Sequence, residues 1–387
     1  MTVSPVANNL VASDSALGPT SMGTGGGAKL IQDSAGRTIA VYVDSSGRIG
    51  LAYANGDPTF GFSVPVKSAT PVSAYARPAA VLVSLTSLRI IVVGGSASGV
   101  ITDIPVTVLR DGSNNITGFT FGAATVLDSS GTTDYPSSVL AHNGDILASW
   151  AYKTSTTSQI RSLKWDPVTG WTNFAGTSTP DIAIVDNTST GWMIPSIIER
   201  QDNNNIYVLA NRLSGPPQTL AYNKAAWNGS AWAWDGQNLN YETNASSGIE
   251  DPVTMAWDST RSLVVVAYGI TGTTSYGVFT LNSADLKTHL DTPSLAITER
   301  DWGTIAVSAT GDYYIFLMNV NADQGSGTVG YVKHPSGGSW GSYTVIDSAT
   351  DNQGLSVRQT GSGTTIDMLY CEGTSAPTKI KFARITA

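Results

Sequence analysis

The sequence is poor in charge and has a single cysteine. Only 13% of its 387 residues are Asp, Glu, Lys or Arg, about half the usual share for a soluble domain, and the formal net charge is −8. No run of Lys or Arg exists, so the basic face that a nucleic acid or an anionic membrane would need is missing. The lone cysteine, Cys371, excludes an intramolecular disulfide and a cysteine-based zinc site.

Long apolar runs are also missing. The longest, such as residues 263–270, are far shorter than a membrane span, so we expect no membrane insertion. No signal peptide is visible, because the first twenty residues lack a basic start followed by an apolar stretch. The hydrophobic fraction is nevertheless 41%, with ten Trp and fifteen Tyr, which is enough to bury a large core.

Short runs rich in Val, Ile, Thr, Tyr and Trp, separated by Gly, Asn, Asp and Ser, indicate β-strands along the whole chain. They recur in a degenerate pattern of one apolar strand, a polar turn and a second, stronger strand. The pattern starts near residues 28, 78, 136, 195, 252, 303 and 354, at intervals of 50 to 59 residues. Such an interval holds four strands, which is one blade of a β-propeller. The one helix candidate is residues 283–290, with Ser283 as the N-cap.

We therefore predict an all-β chain that forms one domain over residues 1–387, a seven-bladed β-propeller of four-stranded antiparallel blades. The last repeat has room for only three strands. A strand within residues 6–12, in an N-terminal segment 1–27, is expected to complete the last blade and close the ring, which would leave no free edge. An elongated β-solenoid and two stacked sandwiches are the alternatives.

The predicted propeller brings ionisable and aromatic side chains together at one end of its axis. Residues just before the first strands and at the ends of the second strands would meet at one axial mouth, and these positions are enriched in ionisable and aromatic side chains. The candidate ligand-binding residues are Arg77, Arg212, Arg300, Trp150, Trp192 and Trp302. The candidate catalytic residues are Asp134, Tyr135, Glu250, Asp251 and Asp301. The alternative is that these charges pair only with one another and cap the channel.

Two further motifs have open interpretations. Near Trp227, the pair Trp232 and Trp234 lie two apart on one strand face and could form a stacking platform for sugar rings, although aromatic side chains beside hairpins more often seal neighbouring blades as core. Oxygen-bearing side chains alternate at residues 319, 321 and 323, as in calcium loops, but no glutamate closes the loop. We therefore expect no cofactor, with calcium at this loop as the alternative.

The repeat resembles the sialidase-like propellers with degenerate bacterial-neuraminidase repeats, a class of glycan hydrolases, polysaccharide lyases and non-catalytic glycan binders. Residues 75–78 (Tyr-Ala-Arg-Pro) are similar to the aromatic-Arg-x-Pro signature of sialidase catalytic domains, except that Arg77 directly precedes the proline. The chain departs from the family in its seven repeats rather than six, and in lacking a clean S-x-D-x-G-x-x-W box.

The resemblance implies an acid/base aspartate, a nucleophilic Tyr–Glu pair and three arginines that bind a carboxylate. The positions that could fill these roles are Asp134 or Asp251, Tyr135 with Glu250, and Arg77, Arg212 and Arg300. The arginines come from the second, fourth and sixth repeats, which is not a spread that matches the family.

The expected function is non-enzymatic. We expect a propeller that recognises a glycan or a cell-surface receptor, or serves as a structural part, with other virion proteins as further partners and no nucleic acid. The neutral surface rich in hydroxyl groups is similar to that of phage tail and virion-surface propellers, which predicts display on a virion or outside the cell. The alternative is a glycan-cleaving enzyme, either a glycoside hydrolase or a polysaccharide lyase, with its site at the axial mouth.

Overall fold

A computed structural model describes most of the chain, with backbone alone for residues 6–8, 249–252 and 299–302. The described residues are 6–16, 29–72, 77–94, 99–129, 132–187, 191–212, 218–243, 249–270, 273–293, 295, 297–320, 325–358 and 364–386. They form thirty β-strands and a single short 3-10 helix, Pro58–Phe60. The chain is therefore all-β, as its sequence predicts.

Hairpins connect most neighbouring strands, and short polar turns build them. Asp33 is an example: its Oδ1 accepts a hydrogen bond from the backbone N–H of Arg37 at 2.7 Å. Gly36 lies in the left-handed region, with φ of 80°, where a side chain would be strained. The same arrangement recurs one hairpin later at Asp44 and Gly47. These turns return the chain against itself, so the sheets are antiparallel.

Five antiparallel sheets follow one another along the chain, and we name them units 1 to 5. Unit 1 contains β2 (Leu30–Gln32), β3 (Thr38–Val43), β4 (Ile49–Ala54) and β5 (Val66–Lys67), after the first strand of the chain, β1 (Val6–Ser15). Unit 2 contains β6 (Ala79–Ser84), β7 (Ser87–Gly94), β8 (Val100–Arg110), β9 (Ile116–Phe121) and β10 (Thr125–Asp128). Unit 3 contains β11 (Thr132–Leu140), β12 (Ile146–Lys153), β13 (Ser158–Asp166), β14 (Gly170–Thr172) and β15 (Asp181–Asp186). Unit 4 contains β16 (Pro195–Arg200), β17 (Asn205–Arg212), β18 (Thr219–Trp227), β19 (Trp232–Trp234) and β20 (Asn238–Thr243). Unit 5 contains β21 (Ile249–Asp258), β22 (Leu263–Ile270), β23 (Tyr276–Leu281) and β24 (Lys287–His289).

The last two units share a seven-stranded sheet. Its strands are β25 (Glu299–Val307), β26 (Tyr313–Val320), β27 (Gly327–His334), β28 (Thr344–Val357), β29 (Thr365–Glu372), β30 (Thr378–Thr386) and β1. The first half of β28 pairs with β27 and ends unit 6, whereas its second half pairs with β29 and begins unit 7. Strand β1 pairs antiparallel with β30, so the fourth strand of unit 7 comes from the other end of the chain.

Two details differ from the expectations. Residues 283–290 form no helix: Asn282 Oδ1 accepts the backbone N–H groups of Ala284 and Leu286, at 3.0 and 3.1 Å, which makes a turn, and β24 follows. The helix prediction is wrong because this side-chain acceptor competes with helical hydrogen bonding. The outermost strand of units 2, 3 and 4 is divided into two short strands, both paired with the third strand.

Buried apolar side chains join each unit to the next. Among the described residues, hydrophobic clusters lie between units 1 and 2, 2 and 3, 3 and 4, 4 and 5, 5 and 6, 6 and 7, and 7 and 1. The cluster between units 7 and 1 contains Val11 of β1, Tyr42 of β3 and Phe382 of β30. First strands also contact one another in series, from β6 through β11, β16 and β21 to β25. The sheets therefore stack face to face.

Candidate functional site

The entrance to the first strand is irregular in several units. The register shifts between Asp134 and Ser137 in β11, and at the matching places in β21, β25 and β28. Tyr135 has φ of 52°, and Arg77, just before β6, has φ of 38°. Both residues precede a proline, which restricts their backbone further. Bulges of this kind redirect side chains, and strained backbone is concentrated at functional sites.

These irregular entrances bring two units together through an ion pair. Arg77 of unit 2 contacts the Asp134 carboxylate of unit 3 through its Nη1, and both side chains are largely buried, with 18% and 12% exposed. Asp134 Oδ1 also accepts the backbone N–H of Tyr135 at 2.8 Å. The carbon centre of the Arg77 guanidinium lies 4.0 Å from the centroid of the Tyr135 ring. One side chain, Arg77, is thus held by both a charge and an aromatic face.

Trp192 extends this arrangement to the entrance of unit 4, and Lys153 of unit 3 lies beside it. The Trp192 ring lies 5.8 Å from the Tyr135 ring, centroid to centroid, in an edge-to-face geometry of 72°. Lys153, at the end of β12, places its Nζ 4.7 Å from the Trp192 ring centroid. Both rings are partly exposed. We call Arg77, Asp134, Tyr135, Lys153 and Trp192 the mouth cluster.

Burial perturbs two charges at this site. Lys29, just before β2 in unit 1, is 2% exposed, and burial together with the positive charge of Arg77 lowers its pKa to about 7. Burial also raises the pKa of Asp134, although Arg77 and the Tyr135 backbone favour its charged form. Four successive units therefore contribute charge or aromatic surface to one place.

The structure brings Arg77, Asp134, Tyr135 and Trp192 together, and it gives two other candidates separate partners. Trp150 is fully buried in the cluster between units 2 and 3, and its Nε1 donates to Asp128 Oδ2 at 2.9 Å. It has no exposed surface with which to contact a ligand. Arg212 forms an ion pair with Asp186, with its Nε 2.6 Å from Oδ2.

The other candidates lie outside the described side chains. Their backbones belong to β21 and β25, and they are Glu250, Asp251, Arg300, Asp301 and Trp302. In the calcium candidate, Asn321 and Asp323 lie outside the described residues, and Asn319 Oδ1 accepts the backbone N–H of Thr298 at 2.9 Å. Within the described residues, no group of three or more His, Cys, Asp or Glu is arranged to hold a metal ion.

Sequence reasoning missed Lys153 and Lys29. Lys153 ends the second strand of its unit, where the propeller prediction already placed the rim, so its position was a usable signal. Lys29 lies two residues beyond the pair of glycines that the repeat placed at the entrance of unit 1. The first repeat begins with a weak match to the pattern, so Lys29 was not recognised as a residue at the entrance of unit 1.

The tryptophans between residues 227 and 234 lie in a packed interface. Trp232 is 6% exposed, and together with Trp227 and Trp234 it packs in the cluster between units 3 and 4. Its Nε1 donates to Asp145 Oδ2 of unit 3 at 3.0 Å. Phe174 of unit 3 lies 5.1 Å from Trp234, between ring centroids. We call the three indoles the tryptophan seal, because they close the gap between two sheets.

No helix in the part of the chain that the structure describes is long and apolar enough to cross a membrane. No protein-family model matches the sequence, and no curated protein matches it either.

Many solved structures have a similar fold, and three of them cover most of this chain. The lectin BP39L from Burkholderia pseudomallei is 12% identical, with a TM-score of 0.63, and the likeness covers 92% of this chain and 95% of the lectin. The polysaccharide lyase Uly1 is 10% identical, with a TM-score of 0.59, over 93% of this chain and 90% of the lyase. A protein of unknown function from Dyadobacter fermentans is 8% identical, with a TM-score of 0.54, over 99% of both chains. This chain therefore shares its fold with a lectin and with a polysaccharide lyase.

Proposed function

We propose that this protein is a non-enzymatic glycan-binding β-propeller whose ligand contacts the mouth cluster. The observation that carries the proposal is the pair of partly exposed rings, Tyr135 and Trp192, flanked by the cations Arg77 and Lys153. Aromatic faces stack on the C–H faces of sugar rings, cations bind hydroxyl or carboxylate groups, and carboxylates accept hydrogen bonds from hydroxyl groups. The fold shared with a lectin and a lyase fits this proposal.

The architecture behind the proposal is a closed ring of seven blades in one domain, residues 1–387. Its support is the hydrophobic cluster between units 7 and 1 and the pairing of β1 with β30. In such a ring the entrances of all seven first strands face one mouth. Arg212, Arg300 and Trp302 would then line the same opening as the mouth cluster, and the sialidase-like resemblance implies a carboxylate-binding role for the two arginines.

The mouth cluster is suited to binding because its side chains are fixed before a ligand arrives. Arg77 is restrained by Asp134 on one side and by the Tyr135 ring on the other. Tyr135 is restrained by its own backbone hydrogen bond to Asp134. A ligand that stacks on these rings loses little affinity to side-chain ordering, which is otherwise a large cost of binding.

A glycan-cleaving enzyme is the second candidate, and the raised pKa of Asp134 favours it. Burial disfavours the charged form of this carboxyl group, and a raised pKa is the direction in which the pKa of a general acid is shifted. A hydrolase would need a second carboxyl group within about 10 Å of Asp134, from Glu250, Asp251 or Asp301.

We further propose that the glycan-binding propeller is displayed on a virion or outside the cell. The support for this location is the composition of the chain, which is low in charge and rich in hydroxyl groups.

The test is binding to a glycan array by the full chain and by two variants, Tyr135→Ala and Trp192→Ala. We expect specific binding by the wild type and at least tenfold weaker binding by each variant, as for central aromatic residues of other interfaces. Trp340→Ala is the matched control, because Trp340 is also partly exposed but lies in unit 6, packed beside another cluster. It should bind like the wild type.

Two outcomes would contradict the proposal. The mouth cluster would not be a glycan site if the wild type bound no glycan on the array. The same conclusion would follow if Tyr135→Ala, Trp192→Ala and Trp340→Ala all bound as tightly as the wild type. Release of reducing ends or unsaturated sugars from a bound glycan, lost in Asp134→Asn, would favour the enzyme instead.

A further inference from the structure

A pocket lies where β1 meets unit 1, and no residue of the mouth cluster lines it. One wall is residues 10–14 of β1, and the other is residues 62–65 with Lys67 of β5. Its volume is about 410 Å³, within the range of small-molecule sites, roughly 300–1,000 Å³. We call it the seam pocket, because it lies between the strand that ends unit 7 and the sheet of unit 1.

Contacts from three elements fix the loop that forms the second wall. Asn9 of β1 donates through Nδ2 to the Thr59 carbonyl. Arg384 of β30 contacts Asp57, with 2.7 Å between Nη1 and Oδ1. Ser63 accepts the backbone N–H of Tyr53 at 3.0 Å. The pocket is thus formed before any ligand arrives, which lowers the cost of binding.

The polar end of the seam pocket keeps unused hydrogen-bonding capacity. Asp14 Oδ1 accepts the Tyr42 hydroxyl at 3.0 Å, and Oδ2 contacts Lys67. Lys67 also lies 3.2 Å from Asp44 Oδ2. A carboxylate accepts about four hydrogen bonds and an ammonium donates three, so about two acceptor positions and one donor remain. Both side chains are accessible, with 38% of Asp14 and 29% of Lys67 exposed.

The other end of the pocket is apolar and open to water. Leu10 is 53% exposed and Val64 is 85% exposed. Phe62 lies between them and the core, 5.5 Å from Phe382 between ring centroids. Exposed apolar side chains that gather beside a pocket mark a binding surface more often than scattered ones do.

We infer that the seam pocket binds one neutral pyranose. A sugar ring has a C–H face for Leu10, Phe62 and Val64, and vicinal hydroxyl groups that both donate and accept hydrogen bonds. Asp14 and Asp44 outnumber Lys67, so an anionic sugar is disfavoured here. A plain hydrocarbon is disfavoured too, because it would cover the Asp14–Lys67 pair without bonding to it. This site is independent of the mouth cluster.

The experiment is ligand-observed NMR on the full chain with methyl glycosides of neutral hexoses. The wild type should show saturable binding in the micromolar to millimolar range. Val64→Asp, which adds a negative charge at an exposed position, and Ser13→Trp, which fills the pocket from an exposed position of β1, should each weaken binding at least tenfold. Val168→Asp is the matched control, because Val168 is 91% exposed on a turn of unit 3. It should change nothing.

Three results would overturn the inference. The first is no saturable binding of any neutral glycoside by the wild type, or binding only of charged amino sugars. The second is wild-type binding by both Val64→Asp and Ser13→Trp. The third is loss of the signal in Trp192→Ala with retention in both pocket variants, which would assign it to the mouth cluster and support the proposed function alone.

Discussion

Two aromatic clusters in this molecule use similar residues for opposite purposes. In the tryptophan seal, indoles pack in an apolar interface between two sheets, and Trp232 keeps only 6% of its surface exposed. In the mouth cluster, Tyr135 and Trp192 are partly exposed and belong to none of the hydrophobic clusters formed by the described residues. Their neighbours are cations instead. An aromatic side chain remains available to a ligand where polar neighbours, rather than a second sheet, surround it.

The largest expected effect on the free energy of unfolding comes from a substitution in the tryptophan seal. Trp232→Ala should lower the free energy of unfolding by about 3–5 kcal/mol, because it leaves a cavity between units 3 and 4 and removes the hydrogen bond from the indole to Asp145. Chemical denaturation measures this value. A loss below about 1 kcal/mol would mean that the seal contributes little to packing.

The next effect concerns the free energy of unfolding that is lost by burying the charged Lys29 beside Arg77. Lys29 has a pKa of about 7 in the folded chain and 10.5 as its ordinary value. Between these values the unfolded chain binds the extra proton, so the free energy of unfolding rises with pH through that window. Lys29→Met should therefore be more stable than the wild type near pH 6, by about 1.4 kcal/mol per unit of pKa depression, and the difference should vanish above pH 10.5.

Denaturation curves across this pH range check the Lys29 prediction. Lys379→Met is the control, because Lys379 is 54% exposed and should give a nearly constant difference from the wild type. A Lys29→Met curve parallel to the wild-type curve would show that Lys29 keeps an ordinary pKa.

A smaller effect contrasts Trp192 with Trp232 directly. Trp192→Ala should change the free energy of unfolding by less than about 1 kcal/mol, because Trp192 seals no interface between described units. The same denaturation measurement applies. A loss as large as that of Trp232→Ala would place Trp192 among the packing residues and weaken the case for a ligand site.

The smallest expected effect is on glycan affinity, and it distinguishes the positive charge of Arg77 from the flat shape of its guanidinium. Arg77→Lys keeps the positive charge near Asp134 but removes the flat guanidinium that lies over Tyr135. Affinity for the glycan found on the array should fall only a few-fold, equivalent to about 0.5–1 kcal/mol. Isothermal titration of wild type and variant measures it. Unchanged affinity would show that the stacking geometry has no role in binding.

Most of the fold was predictable because its hydrogen bonds are local. Hairpins such as β3–β4 need only two apolar runs and a turn with a side-chain acceptor and a glycine, and all of these are visible in the sequence. One exception is β28, which runs without a break through the polar residues 348–353, although the repeat places the start of the last unit near residue 354. Asn352 pairs with Gly327 on one side and Glu372 on the other, and this tertiary pairing overrides local preference.

The site was partly predictable for a similar reason. The repeat places Arg77, Asp134 and Tyr135 at the starts of first strands, and this alone assigned them to one place. Trp150 illustrates the limit: it lies near the end of a second strand, but its side chain faces unit 2 and is fully buried. The direction of a side chain across a stacked sheet depends on which face meets the neighbouring unit, and a degenerate repeat does not specify that.

The pairing of β1 with β30 has a consequence for synthesis. The hydrogen bond from Thr378 to Ser15 joins residues 363 positions apart. During synthesis β1 is made well before β30, so β1 lacks this partner until the residues between the two strands have been made. During that time an edge strand with an exposed Leu10 is open to association with other nascent chains. Chaperone binding during synthesis should therefore be concentrated at β1.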